Sequence, residues 1–139
     1  MYAAERRNLK MRTILKLLVS IIGVAAIVFG IIFIFQSGPA KKQVSDNIAP
    51  VTLSQLNATY NTVTANLTTD MQAEEPNIQA GKAQPSATLA YLTAQQAGLG
   101  LAKSNVGTAD MVLMMGIVDV IIGLGLVIGG VLIPSQAKI

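Results

Sequence analysis

Asp119 is the residue best placed to do chemistry, because it is the one ionisable side chain in an apolar run of 23 residues from Met111 to Ile133. A carboxyl in such a setting can bind or pass an ion or proton, pair with a cation, or hydrogen-bond a neighbouring carbonyl. Met111, Met114 and Met115 cluster near it with Asp110 alongside. Thioether clusters suit Cu(I), but with no Cys or His to assist, adaptable packing is the better reading, and no metal site is expected. The 139 residues contain no Cys, His or Trp. That composition excludes disulfides, thiolate and imidazole metal centres, a Cys nucleophile and His acid–base catalysis. The chain reads as a non-enzyme without a cofactor. A net charge of +3, concentrated in one tail, does not make a nucleic-acid surface.

The elements that must position Asp119 follow from hydropathy. At 52% apolar and 12% charged residues the chain has a membrane composition. Leu17 to Phe35 contains Ser20 as its only polar side chain, and at 1.5 Å per residue it is about 28 Å of helix, the thickness of a hydrocarbon core. Met111 to Ile133 is long enough to cross with some tilt. The expected organisation is a basic tail at 1–13, a transmembrane helix at 14–35, an outer region at 36–110, a second transmembrane helix at 111–133 and a short tail at 134–139. Arg6, Arg7, Lys10, Arg12 and Lys16 precede the first span and Lys138 follows the second. By the positive-inside rule both termini are cytoplasmic, the outer region is extracytoplasmic, and the basic tail contacts anionic lipid. A cleaved secretory signal is the rival reading of the first span, but the apolar run exceeds a signal's h-region, which favours a signal anchor.

The outer region is expected to be a helical hairpin. Gln36 to Pro39 break the first helix, and Ser45, Asp46, Asn47 and Pro50 suit a helix start. Leu53, Leu56, Tyr60, Val63, Leu67 and Met71 then recur at the three- and four-residue spacings of an amphipathic stripe. Glu74, Glu75, Pro76 and Gly81 to Pro85 form the turn, and Ser86 caps a second, Ala-rich helix that Gly98, Gly100 and Gly107 loosen. This region carries five acids and four lysines. So few charges suit faces covered by other protein. Asn57-Ala-Thr59 and Asn66-Leu-Thr68 match a glycosylation acceptor pattern that an Asn- and Thr-rich stretch produces by chance.

Small residues supply the packing code. Gly23, Ala26 and Gly30 on the first span, and Gly116, Gly123 and Gly130 on the second, fall at or within heptad spacing. Lipid gives no hydrophobic drive for helix association, so close backbone approach at small residues holds such helices together. The two spans are expected to cross antiparallel along these faces, with Asp119 beside them. Gly125 and Gly129 form a GxxxG pair on a different face, free for a partner, as is the outer stripe of Leu53, Leu56, Tyr60, Val63 and Leu67.

A two-helix hairpin with regularly spaced glycines and one intramembrane carboxylate is similar to the proteolipid rotor subunit of rotary ATPases, with Gly23, Gly30 and Asp119 carrying the likeness. That resemblance implies ion or proton binding at Asp119. The family's loop is a short polar turn on the cytoplasmic side and its glycines are denser, so membership does not follow. The order span, outer helices, span also resembles the sensory half of a bacterial chemoreceptor or sensor kinase. Only Pro134 to Ile139 follow the second span, so a receptor role requires a separate output partner, with a ligand pocket near Tyr60 and Tyr91. The reading that reconciles the glycine faces, the under-charged outer region and Asp119 is an all-α, two-span accessory subunit of a larger complex in the cell membrane. Its expected partners are lipid and other integral membrane subunits, a hetero-oligomer before a homo-oligomer.

Overall fold

The computed structural model describes residues 2–132, with side chains from residue 10 onward. They form three helices and no strand: α1 Tyr2–Asn47, α2 Leu56–Gln79 and α3 Ala87–Leu132. Two of these, α1 and α3, contain stretches long and apolar enough to cross a membrane. Each has 46 residues, which is about 69 Å of helix, more than twice a hydrocarbon core. The chain divides into two compact units, one of residues 1–38 with 110–139 and one of residues 39–109.

Within the first unit α1 and α3 run side by side and antiparallel. Buried positions recur every seven residues along the unit's part of α1, at Gly23, Gly30 and Ser37. On its part of α3 they recur at Gly116, Gly123 and Gly130. A strict seven-residue repeat is slightly shorter than two turns of a straight helix, so keeping it in contact implies a left-handed supercoil. The outward faces carry large apolar side chains, among them Ile21, Phe29, Ile121 and Val131, each more than half exposed.

The second unit is built from three helical segments, not the two of the expected hairpin. Gln36 to Pro39 do not end α1, which runs through Pro39 to Asn47. A proline inside a helix removes a hydrogen bond and disfavours helical backbone in the residue before it, chiefly by crowding that residue's Cβ. Here that residue is Gly38, which has no Cβ. The Ser37 hydroxyl donates to the Ile34 carbonyl at 2.9 Å. The continuation buries Val44. Ser45 to Asn47 therefore form the end of α1 instead of a helix start, with Lys42 and Asp46 paired across one turn at 2.8 Å.

A cis Ala49–Pro50 bond lies in the connection to α2. Thr52 and Gln55 then set up the start of α2: the Thr52 backbone N–H and hydroxyl both donate to Gln55 Oε1, at 3.2 and 2.9 Å. Gln55 N–H donates back to the Thr52 carbonyl at 3.0 Å. Leu53 thus precedes α2 and is not part of it. Leu56, Val63 and Leu67 are the buried residues of α2, whereas Met71 is exposed. The core joins Val44 from α1, Leu56 and Val63 from α2, and Leu99 and Ala102 from α3, with Ile48, Leu53, Tyr60, Leu92 and Val106 packed on it.

Glu74, Glu75 and Pro76 lie inside α2, so the turn is confined to 80–86. Pro76 sits in the last turn of α2, where its carbonyl still accepts from Ala80 N–H at 3.2 Å. Gly81 adopts φ +68°, a left-handed conformation that glycine takes without strain. Ser86 caps α3 by accepting from Leu89 N–H at 3.0 Å. The same serine donates its hydroxyl to Glu74 Oε1 at 2.6 Å and its backbone N–H to Glu74 Oε2 at 2.9 Å. Thr62, Thr68, Thr69, Thr93 and Thr108 each return their hydroxyl to a carbonyl four residues back, which lets threonine-rich helices satisfy their own polar groups.

The Ser86 hydroxyl and then its backbone N–H hold the Glu74 carboxyl below the ordinary carboxylate range. A depressed value means that the clasp contributes stability above the ordinary carboxylate titration and loses it as pH falls through the lowered value. The Ser86 amide proton resonance should therefore titrate with a midpoint below that of a free glutamate, and Glu74→Gln should abolish the titration. A Ser86 resonance that is flat across the acid range in the native chain would contradict the clasp.

Candidate functional site

The best-defined geometry in the first unit is the seam between α1 and α3. A Cβ built on Gly30 would lie 2.5 Å from the Gly116 carbonyl oxygen and 2.9 Å from Val120 N. One built on Gly116 would lie 2.7 Å from the Gly30 carbonyl oxygen. The next layer repeats the arrangement: Gly23 meets the Gly123 carbonyl oxygen at 2.8 Å, and Gly123 meets the Gly23 carbonyl oxygen at 2.6 Å. At Gly130 a Cβ would collide with the Ser20 hydroxyl and stand 3.3 Å from the Lys16 carbonyl oxygen. These are reciprocal backbone-to-backbone approaches, and any side chain would have to push the helices apart. They also aim α-hydrogens at facing carbonyls, a weak but recurring contact in close helix pairs.

Ala26 is half-buried between the two glycine layers of α1. Val120 and Val127 fill the space beside Gly30 and Gly23, and Ile34 and Ile27 do the same beside Gly116 and Gly123. These four branched residues belong to the site although glycine spacing alone does not select them. Gly125 and Gly129 stand apart, with nothing within 4 Å of a Cβ at either. Asp119 is half-buried, between Gly116 and Gly123 in sequence and at the edge of the seam. Its carboxylate has no hydrogen bond or ion pair among the described residues.

Comparison with protein-family models, characterised proteins and solved structures returns no match to this chain.

On the basic flank, Lys10 and Arg12 are exposed and Lys16 is half-buried. The side chains of Arg6 and Arg7, and the whole of Lys138 and the 134–139 tail, lie outside the described residues. No cluster of His, Cys, Asp or Glu suited to a metal ion exists among the described residues. Met111, Met114 and Met115 are all at least half exposed.

In the second unit the two tyrosines separate. Tyr60 is half-buried in the core, where Lys103 Nζ stands 5.2 Å above its ring and Gly100 leaves room for its edge. Tyr91 is exposed and lines an open cleft of about 490 Å³ with Asn47, Ile48, Pro50, Gln95 and Asn105 among its walls. Away from the turn, Gln96 Nε2 on α3 donates to Thr64 Oγ1 on α2 at 3.1 Å. Leu56 and Val63 belong to the core, and Leu53 and Tyr60 pack on it. Leu56, Val63 and Leu67 are buried within the chain, and Leu53 and Tyr60 are half-buried.

Close approach at the seam predicts a sharp contrast among glycines. Gly30→Ala and Gly123→Ala should each lower the stability of the helix pair by about 1–3 kcal/mol, the usual cost of overpacking. Gly125→Ala and Gly129→Ala should not lower it, since a Cβ there meets nothing and alanine favours the helix. Denaturant titration in detergent micelles, followed by energy transfer between the two helices, measures the difference. Equal effects at the two sets of positions would contradict the seam.

Proposed function

We propose that the chain is an integral membrane protein whose α1 and α3 cross the bilayer as an antiparallel pair, and that it serves as a non-catalytic accessory subunit of a larger membrane complex. The membrane reading is supported by burial. Only 11% of the most apolar window of either helix is buried within the chain, whereas the core helix of a water-soluble protein would be mostly covered. A signal sequence would account for an apolar segment near the N-terminus but not for α3. Lys10, Arg12 and Lys16 before the first apolar stretch, with Arg6 and Arg7, orient that end toward the cytoplasm in the cell membrane. The 39–109 unit then stands outside the cytoplasm.

The observation that carries the accessory role is Asp119, an acid without a partner of its own inside an apolar helix. An intramembrane carboxyl is costly unless other protein surrounds it. The seam joining α1 to α3 leaves Gly125 and Gly129 open, a surface on which another helix can approach closely. The second unit carries few charges for its size, as a surface flanked by other subunits would.

A homo-oligomeric ion-binding assembly uses the same acid differently. Its signature is Asp119→Asn protein that assembles normally but loses ion or proton flux. Extraction of native membranes in mild detergent, followed by native mass spectrometry of the particle that contains this chain, separates the two. The expected result is a particle holding this chain with at least one other integral membrane protein. A ring or cluster of this chain alone would overturn the accessory role.

A further inference from the structure

The surroundings of Asp119 name the chemistry of the neighbour it requires. Gly116 and Gly123 bracket it on α3 and lie against Gly30 and Gly23. Between those two glycines α1 offers only Val24, Ala25, Ala26, Ile27, Val28 and Phe29. The nearest cation on the inner side is Lys16, whose carbonyl lies beside Gly130. Gly130 is eleven residues from Asp119, or about 16 Å along the helix, beyond the reach of a lysine side chain. The aspartate is itself too short to extend to the end of the apolar stretch. Among the described residues no cation pairs with Asp119.

The carboxylate sits where the closed seam gives way to an open face. Met115 is four residues before Asp119 and Ile122 three after, so both flank it on one side of α3. Each is about half exposed, at 51% and 52%. Gly129 continues the same line seven residues beyond Ile122, with nothing within 4 Å of a Cβ there. A helix lying along Met115, Ile122 and Gly129 would cover Asp119 from its exposed side.

We propose that Asp119 is the docking point for a transmembrane helix of another subunit that carries a lysine or arginine at the same depth, seated along Met115, Ile122 and Gly129. This deepens the accessory-subunit reading and rests on it. Charge complementarity selects the basic partner. Apolar side chains can pack on Met115 and Ile122, but only a cation or strong donor offsets a carboxyl set among apolar residues.

The test uses the full chain in lipid vesicles. It contains no Cys, so Ala83→Cys in the exposed turn gives a single site for a donor dye. The probe is a synthetic polyleucine transmembrane helix bearing one central lysine and an acceptor dye, compared with the same helix carrying leucine there. The lysine helix should associate about tenfold more tightly than the leucine helix, in line with a polar contact between membrane helices. Asp119→Asn should remove most of that difference, and Asp119→Glu should retain it.

Equal binding of the two probes would overturn the proposal, as would a preference that survives Asp119→Asn. Self-association of the chain that Asp119→Asn abolishes would also overturn it, by making a second copy the partner. Failure of the accessory reading itself is distinguishable: it is read from the mass of the native particle, whichever way the probes behave.

Discussion

Two helices can approach to backbone contact only where neither carries a side chain, and the first unit of this protein depends on that constraint. Gly30 faces Gly116 and Gly23 faces Gly123 so closely that a single methyl group on any of the four would meet a carbonyl oxygen. In water such a seam would be supplemented by burial of the flanking leucines and isoleucines. Here those side chains point away from the seam and remain exposed. The pair is therefore held mainly by close packing of backbone and of Ile27, Ile34, Val120 and Val127, the mode open to helices surrounded by lipid.

The same seven-residue repeat organises the rest of α1 and α3 with a change of residue type. Along α1 the buried position passes from glycine to Ser37 and then Val44, and along α3 from glycine to Ala109 and Ala102. Larger residues appear where the 39–109 unit has a conventional apolar core in which Leu56, Val63 and Leu99 are shielded. The unit is closed at its turn by polar chemistry, with Ser86 both capping α3 and holding Glu74. Thus one periodicity serves two kinds of packing: close backbone contact where the outward faces are apolar, and side-chain burial where they are polar.

Much of this was legible in the sequence because two signals are strong in a single chain: long apolar runs, and glycine at fixed spacing. The apolar runs identify the two helices long enough to span a membrane. The heptad glycines identify the faces that meet. The errors fall where local residues were given more weight than tertiary packing. Pro39 and Pro76 both read as helix breakers, yet Gly38 relieves the crowding at one and the other sits in a final turn. The Leu53 to Met71 stripe was identified as apolar, but periodicity alone does not say whether such a face meets its own chain or another. Val44 of the extended α1 and Leu99 and Ala102 of α3 cluster with Leu56 and Val63 of that stripe. The branched residues beside the glycines are not legible because Val, Ile and Leu recur on every face of these helices, so their type carries no information about direction.

One measurement reaches the central claim, that α1 and α3 meet through their glycines within lipid. In lipid nanodiscs, a methyl-resolved nuclear Overhauser spectrum should connect the Val120 methyl groups to the Gly30 α-protons and the Val127 methyl groups to the Gly23 α-protons. The same spectrum should show acyl-chain contacts to Ile21, Phe29, Ile121 and Val131. Absence of the glycine contacts, or water contacts in place of acyl-chain contacts at those four side chains, would contradict the account.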